Sequence, residues 1–187
     1  MNRRAYLRTS GGAFGFGLLA GCLALESPFG GYRVTEHDID ERSPIQYGAR
    51  VVDGGYDDPD TPLTVEVELT NRYDETVGYY ERRTAQFFGV PDETGRFSLV
   101  PAIWADSEDY EFTGTCWRRV SRFSRTEDLQ AEVLEPDESV SEPLVLLARE
   151  ECPEEPPEEI TFTTGYVVED YGRFQWGFSL RRGSLLG

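Results

Sequence analysis

The chain has 187 residues and a formal net charge of −17. So acidic a chain is repelled by nucleic-acid phosphate and by anionic lipid headgroups, which excludes nucleic acid as a partner. Hydrophobic residues make up 39% and aromatic residues 13%, enough apolar side chain to fill a core and to argue against a disordered chain despite the charge.

The first 21 residues carry Arg3, Arg4 and Arg8 and no acid, so their removal leaves a body more acidic by three charges. An apolar, glycine-rich run follows from Gly11 to Leu25. A signal peptide has this layout, a basic start, a short apolar run and small residues before a cut. The run is too short to cross a hydrocarbon core of roughly 30 Å comfortably, which takes about 20 residues. Its glycines weaken a helix further, by about 1 kcal/mol each relative to alanine.

Asn2-Arg3-Arg4-Ala5-Tyr6-Leu7-Arg8 resembles a twin-arginine export motif. Tyr6 stands where phenylalanine is usual, Arg8 where lysine is usual, and Asn2 where serine or threonine is common. Leu19-Ala20-Gly21-Cys22 resembles a lipobox. This double resemblance covers residues 2–22. It implies that the Cys22 thiol receives a diacylglyceryl-type lipid, that cleavage leaves Cys22 at the new N-terminus, and that the chain is held on the outer face of the cell membrane. An uncleaved helical anchor and a buried core cysteine are the alternatives for this segment. The expected organisation is a signal peptide over residues 1–21, a lipid-anchored tether over 22–31 and a single domain over 32–187.

With Cys22 lipidated, Cys116 and Cys152 are the two cysteines left, and an even pair in an exported chain reads as one disulfide. Free buried thiols are the plainest alternative. A catalytic thiol would want a histidine partner, and the chain has His37 alone. A zinc site would want four Cys or His ligands at close spacing.

Beyond the tether, strand-like runs dominate. Strands are expected over Tyr32–Ile39 and Ile45–Val52, followed by a turn-rich loop from Asp53 to Asp60. The clearest strand is Leu63–Thr70, where Leu63, Val65, Val67 and Leu69 alternate with polar residues, one face buried and one wet. Further strands are expected over Thr76–Arg82 and Phe97–Trp104, with Pro101 pushing the latter to a sheet edge or bulge. Ala131–Leu134 leads into a turn at Glu135–Glu138, and Leu144–Ala148 reads as a short buried strand. Ile160–Val168 and Phe174–Leu180 are expected to form a hairpin across Glu169–Arg173. Ser121–Gln130 is the one plausible helical turn.

Many short strands with regularly spaced turns predict an all-β sandwich or barrel. Thr64–Asn71 and Val133–Leu146 resemble strand–turn segments of immunoglobulin-like surface domains. That resemblance covers about residues 33–182 and implies an immunoglobulin-like antiparallel β-sandwich, a fold that names no activity. All 18 basic residues are arginine and none is lysine. An acidic, lysine-free body resembles secreted proteins of extremely halophilic archaea, although a GC-rich genome alone favours arginine codons. At molar salt the Debye length falls to roughly 3 Å, so repulsion among the carboxylates becomes tolerable.

The candidate sites are sparse. Asp53, Asp57, Asp58 and Asp60 crowd one loop and are weak candidates for a hard cation, but their spacing matches no EF-hand and Pro59 interrupts it. The solvated-loop reading is preferred, and no cofactor is expected. The run Glu151–Glu159 alternates proline with acid and reads as an extended surface loop. His37 lies between Glu36 and Asp38 and reads as an exposed strand residue; no Gly-x-Ser-x-Gly elbow accompanies it. Trp104, Trp117 and Trp176, with Tyr79, Tyr80, Phe87, Phe88, Tyr110 and Phe112, read as core filling rather than as a sugar platform or interface. Arg118, Arg119, Arg122 and Arg125 are expected to pair with acids of the same fold rather than to mark a docking patch.

The functional expectation is a cell-surface lipoprotein whose sandwich binds or serves structurally. Its partners would be the membrane, through the lipid, and another cell-surface protein or a glycan. The alternative is a small secreted hydrolase using paired carboxylates, which would need two carboxyls about 5–9 Å apart in a deep cleft. A solute-binding or inhibitor module is a third reading. The acidic composition predicts that thermal unfolding of the purified protein moves to higher temperature between dilute buffer and molar salt; a flat response overturns the halophile reading.

Overall fold

In the computed structural model, which describes residues 31–37, 40, 42–81, 89–102, 109–120 and 130–183, the described residues form strands and no helix. The strands are β1 (Tyr32–His37), β2 (Ile45–Asp53), β3 (Thr64–Asn71), β4 (Val77–Glu81), β5 (Phe97–Pro101), β6 (Tyr110–Phe112), β7 (Trp117–Arg119), β8 (Gln130–Leu134), β9 (Ser139–Ala148), β10 (Glu159–Val168) and β11 (Gly172–Arg182). One sheet has the order β1-β11-β10-β4-β8. The other runs β2-β3-β9-β7-β6, and β5 pairs with β9 off this path. The two pack face to face as an all-β, immunoglobulin-like sandwich. Pairing between the named strands is antiparallel except at one point, where Arg118 of β7 lies parallel to Ala148 of β9.

Alternation explains which side chains meet between the sheets. Val65, Val67 and Leu69 of β3 are buried while Glu68 between them is exposed. Ile160, Phe162, Tyr166 and Val168 of β10 and Phe174, Trp176, Phe178 and Leu180 of β11 supply the facing wall. Rings cross the gap: Tyr47 of β2 stacks on Trp176 at 4.7 Å between centroids and tilts against Tyr166 at the same distance. Phe178 continues the row to Trp176 at 5.5 Å and to Phe162 at 5.6 Å. Trp176, Tyr79 and their neighbours are thus core, as their residue types suggest.

The expected strands are present, with changes of length at several, β11 among them, which runs Gly172–Arg182. The Phe97 strand stops at Pro101, which lacks the N–H a ladder needs, and it occupies an edge as expected. Leu144–Ala148 is the buried end of a strand that starts at Ser139. The helical reading of Ser121–Gln130 falls outside the described residues except at Gln130, which opens β8. Strands β6 and β7 have no counterpart in the sequence reading, because three residues of intermediate or no burial carry no periodicity.

The sandwich has two dissimilar poles. Strand β1 begins at one of them, where Tyr32 pairs with Arg182, and the loops over residues 54–63 and 149–158 share that end through Tyr32, whose ring meets Tyr56 at 5.7 Å and whose hydroxyl donates to the Pro157 carbonyl. The turns over residues 72–76, 135–138 and 169–171 close the other end. Asp137 and Asp170 there take left-handed backbone, at φ 59° and 66°, a conformation aspartate tolerates in tight turns.

Asn71, at the end of β3, holds that second pole together and is fully buried. Its amide Nδ2 donates to the carbonyls of Glu75 (2.7 Å), Leu134 (3.1 Å) and Glu135 (3.2 Å), and its Oδ1 accepts the Tyr73 N–H at 2.9 Å. Its backbone N–H reaches the Glu138 carbonyl at 3.0 Å. One side chain therefore satisfies carbonyls from two separate turns. Asn71→Ala leaves those buried acceptors unpaired and is expected to lower stability by about 3 kcal/mol. Chemical denaturation reads the change, and an unaltered midpoint would contradict the bracing role.

Candidate functional site

The pole where β1 begins is stapled covalently. Cys116 and Cys152 form a disulfide with Cα atoms 5.8 Å apart, joining the β6–β7 hairpin to the acidic, proline-rich loop 36 residues further on. Cys116 is buried among core residues. Next to it, Trp117 packs on Tyr110 at 5.3 Å and on Phe112 at 5.6 Å, and its indole Nε1 donates to the Asp58 carbonyl at 2.8 Å. Trp117 and Tyr110 also cover Val100, Val145 and Leu147, a second apolar cluster separate from the main core. These rings fill space, in a place the sequence did not specify.

A groove of about 980 Å³ runs beside the disulfide, framed by Arg96, Arg118, Arg119, Glu150, Glu151 and Glu154. Opposite charges share it, and the Arg118 guanidinium donates to the Glu111 carboxylate across the β6–β7 hairpin. That contact agrees with internal pairing of the arginine cluster; Arg122 and Arg125 lie outside the described residues.

Asp53 and Asp58, two of the four aspartates of the loop after β2, are committed to its backbone. Asp53 Oδ1 accepts the Gly54 N–H at 2.8 Å, and Asp58 Oδ1 accepts the N–H groups of Asp60 at 2.9 Å and Thr61 at 3.3 Å. Gly54 is required there, because its φ is +65° and a Cβ would overlap the Pro62 carbonyl. Burial, and then Asp57, push the Tyr56 phenol up to about 12, and burial raises Tyr32 further still. The Tyr56 hydroxyl is buried without a hydrogen-bond partner among the described residues. No group of three or more His, Cys, Asp or Glu able to hold a metal occurs among the described residues.

Among the described residues, the exposed aromatics lie at the opposite pole. Tyr73, in the turn after β3, and Tyr171, in the β10–β11 turn, are 38% and 41% exposed and meet edge to face, with centroids 5.3 Å apart and planes at 78°. Asp74, Glu75 and Asp170 adjoin them in sequence. Desolvation first, then Glu75, Tyr73, Asp170 and Asp74, raise the Tyr171 phenol above its ordinary value. The sequence reading missed this pair, since the two tyrosines lie almost a hundred residues apart and only the fold joins them.

Arg3, Arg4 and Cys22 lie outside the described residues, as do Trp104, Phe87 and Phe88. His37 is in β1 opposite Gly177, as a strand residue, and its side chain is likewise outside the description. No described helix is long and apolar enough to cross a membrane. No family model matches the chain, and no curated protein or solved structure matches it.

Replacing Cys116 and Cys152 together by alanine is expected to lower stability by roughly 4 kcal/mol, the chain-entropy value for a loop of this length. Reductant added to the unaltered protein should produce the same shift in denaturation midpoint. Equal midpoints in all three samples would show the staple to be idle.

Proposed function

We propose that this chain is an exported lipoprotein, anchored through Cys22 to the outer face of the cell membrane, whose sandwich is a binding module for another cell-surface component. The polarity of the sandwich is the observation that supports it. The tether joins the body at the start of β1, on the disulfide-stapled pole, only ten residues after Cys22. The opposite pole is one strand-length away, about 34 Å for the ten residues of β10 at about 3.4 Å each. That pole would face away from the membrane, and it bears the exposed tyrosine pair. A disulfide suits the oxidising side of a membrane.

The anchoring half of the proposal is tested by Cys22→Ser. The substituted protein is expected to leave the membrane fraction and to lose the mass of the lipid. Retention in the membrane with unchanged mass would reject lipidation at Cys22.

A further inference from the structure

The strongest unassigned feature of the surface is the Tyr73–Tyr171 corner. We propose that it is a docking site for a cationic segment of a partner protein, with an arginine guanidinium seated against the tyrosine rings and the flanking carboxylates of Asp74, Glu75 and Asp170 holding the charge. The site rests on the binding-module reading for its outward orientation; its chemistry depends only on the pole itself.

Three observations carry it. First, both rings stay partly in solvent although most of the other aromatics among the described residues are buried, and they hold each other in a defined edge-to-face geometry. Secondly, Asp74, Glu75 and Asp170 make no ion pair among the described residues, whereas Glu135 and Glu138 nearby are already engaged. Glu135 accepts the Thr76 hydroxyl at 2.9 Å, and Glu138 accepts the Glu135 N–H at 2.8 Å. Asp74, Glu75 and Asp170 therefore keep their charge available beside the rings, and Asp137 and Glu169 at the same pole are likewise in no ion pair among the described residues. Thirdly, the turns that present the pair are fixed from below by Asn71 and by the Glu169 N–H, which donates to the Gly78 carbonyl at 2.8 Å. A site whose backbone is already set loses little freedom when a partner arrives.

The geometry also selects the ligand class. Sugar stacking uses a flat aromatic platform, whereas planes at 78° make a corner. An electron-rich ring face bordered by carboxylates attracts a cation through the ring quadrupole and through charge together. Guanidinium suits it better than ammonium, because it is planar, more weakly hydrated and able to pair with a carboxylate while stacking.

The test titrates the purified, lipidated full chain in detergent with an oligoarginine peptide, an oligolysine peptide of equal length and a neutral oligosaccharide, in dilute buffer and in molar salt. Oligoarginine is expected to bind, to outcompete oligolysine and to keep its advantage in molar salt, where only contact interactions survive screening. Tyr73→Leu with Tyr171→Leu should weaken oligoarginine about fivefold or more, from two exposed cation–π contacts. Asp74→Asn, Glu75→Gln and Asp170→Asn together should remove it. Thermal unfolding of each variant should match the parent, since both rings and acids are exposed. Binding that falls with the acid variant but ignores the tyrosine variant would reduce the site to unspecific charge and overturn the proposal. So would saccharide binding at the tyrosines, or no oligoarginine binding. Cross-linking on intact cells separates the two levels. A partner captured equally by parent and tyrosine variant rejects this site and leaves the module reading standing, whereas no captured partner rejects the module reading itself.

Discussion

The end of strand β9 is the constraint on which the rest of the sandwich depends. Leu144–Ala148 is buried along its whole length and hydrogen-bonded on both edges, since Leu144 and Val145 pair with β3 on one side and β5 on the other. Leu144, Leu146 and Ala148 point into the main core, while Val145 and Leu147 point the other way into a second cluster. Removing each large side chain from water is worth about 1.5–3 kcal/mol, so the outward pair alone demands a cover. The β6–β7 hairpin supplies it through Tyr110 and Trp117. Trp117 then reaches the loop after β2, and Cys116 beside it reaches the loop after β9. The whole stapled pole is a consequence of one strand with two apolar faces.

That logic decides what was legible in the sequence. Period-two alternation in β3 and β10 is visible because one face is core and the other is more open to solvent, and the continuous apolar run of β9 is visible because both faces are buried. Strands β6 and β7 were not, because their burial comes from covering a sheet face rather than from alternating along it. Asn71 was hidden for a related reason. Asparagine after a strand reads as a turn residue, and its role as a fully buried brace depends on carbonyls more than sixty residues away. The disulfide could be paired by counting, once Cys22 was set aside. The tyrosine corner could not, since nothing local marks Tyr73 or Tyr171 as different from the tyrosines of the core.

The acidic charge is arranged by the same architecture. On the sheets, carboxylates meet arginines across strands, as Glu66 does with Arg50 and Glu159 with Arg181 at 3.0 Å. Such exposed pairs contribute about 0–1 kcal/mol each and mainly cancel charge. The turns have no cross-strand neighbour to do this, so excess acid collects at the two poles. At the stapled pole it is absorbed by loop backbone, where Asp53 and Asp58 accept N–H groups, or set against the arginines of the groove. At the other pole Asp74, Glu75 and Asp170 have neither outlet.

Unbalanced charge and exposed aromatic surface are each costly in isolation, and their coincidence is informative. Carboxylates alone on a flexible turn would be solvated and silent. Two tyrosines alone would tend to fold back against the sheet, as Tyr47 and Tyr166 do within the sandwich. Here the turns are short, one held by Asn71 and the other by the Glu169 N–H on the Gly78 carbonyl, so Tyr73 and Tyr171 meet edge to face outside the core and keep part of their surface open. If the protein works in concentrated salt, long-range attraction to any partner is screened out within a few ångströms, and recognition must come from atoms in contact. A rigid corner that offers ring and carboxylate together remains effective under that restriction, whereas the diffuse negative field of the rest of the molecule does not.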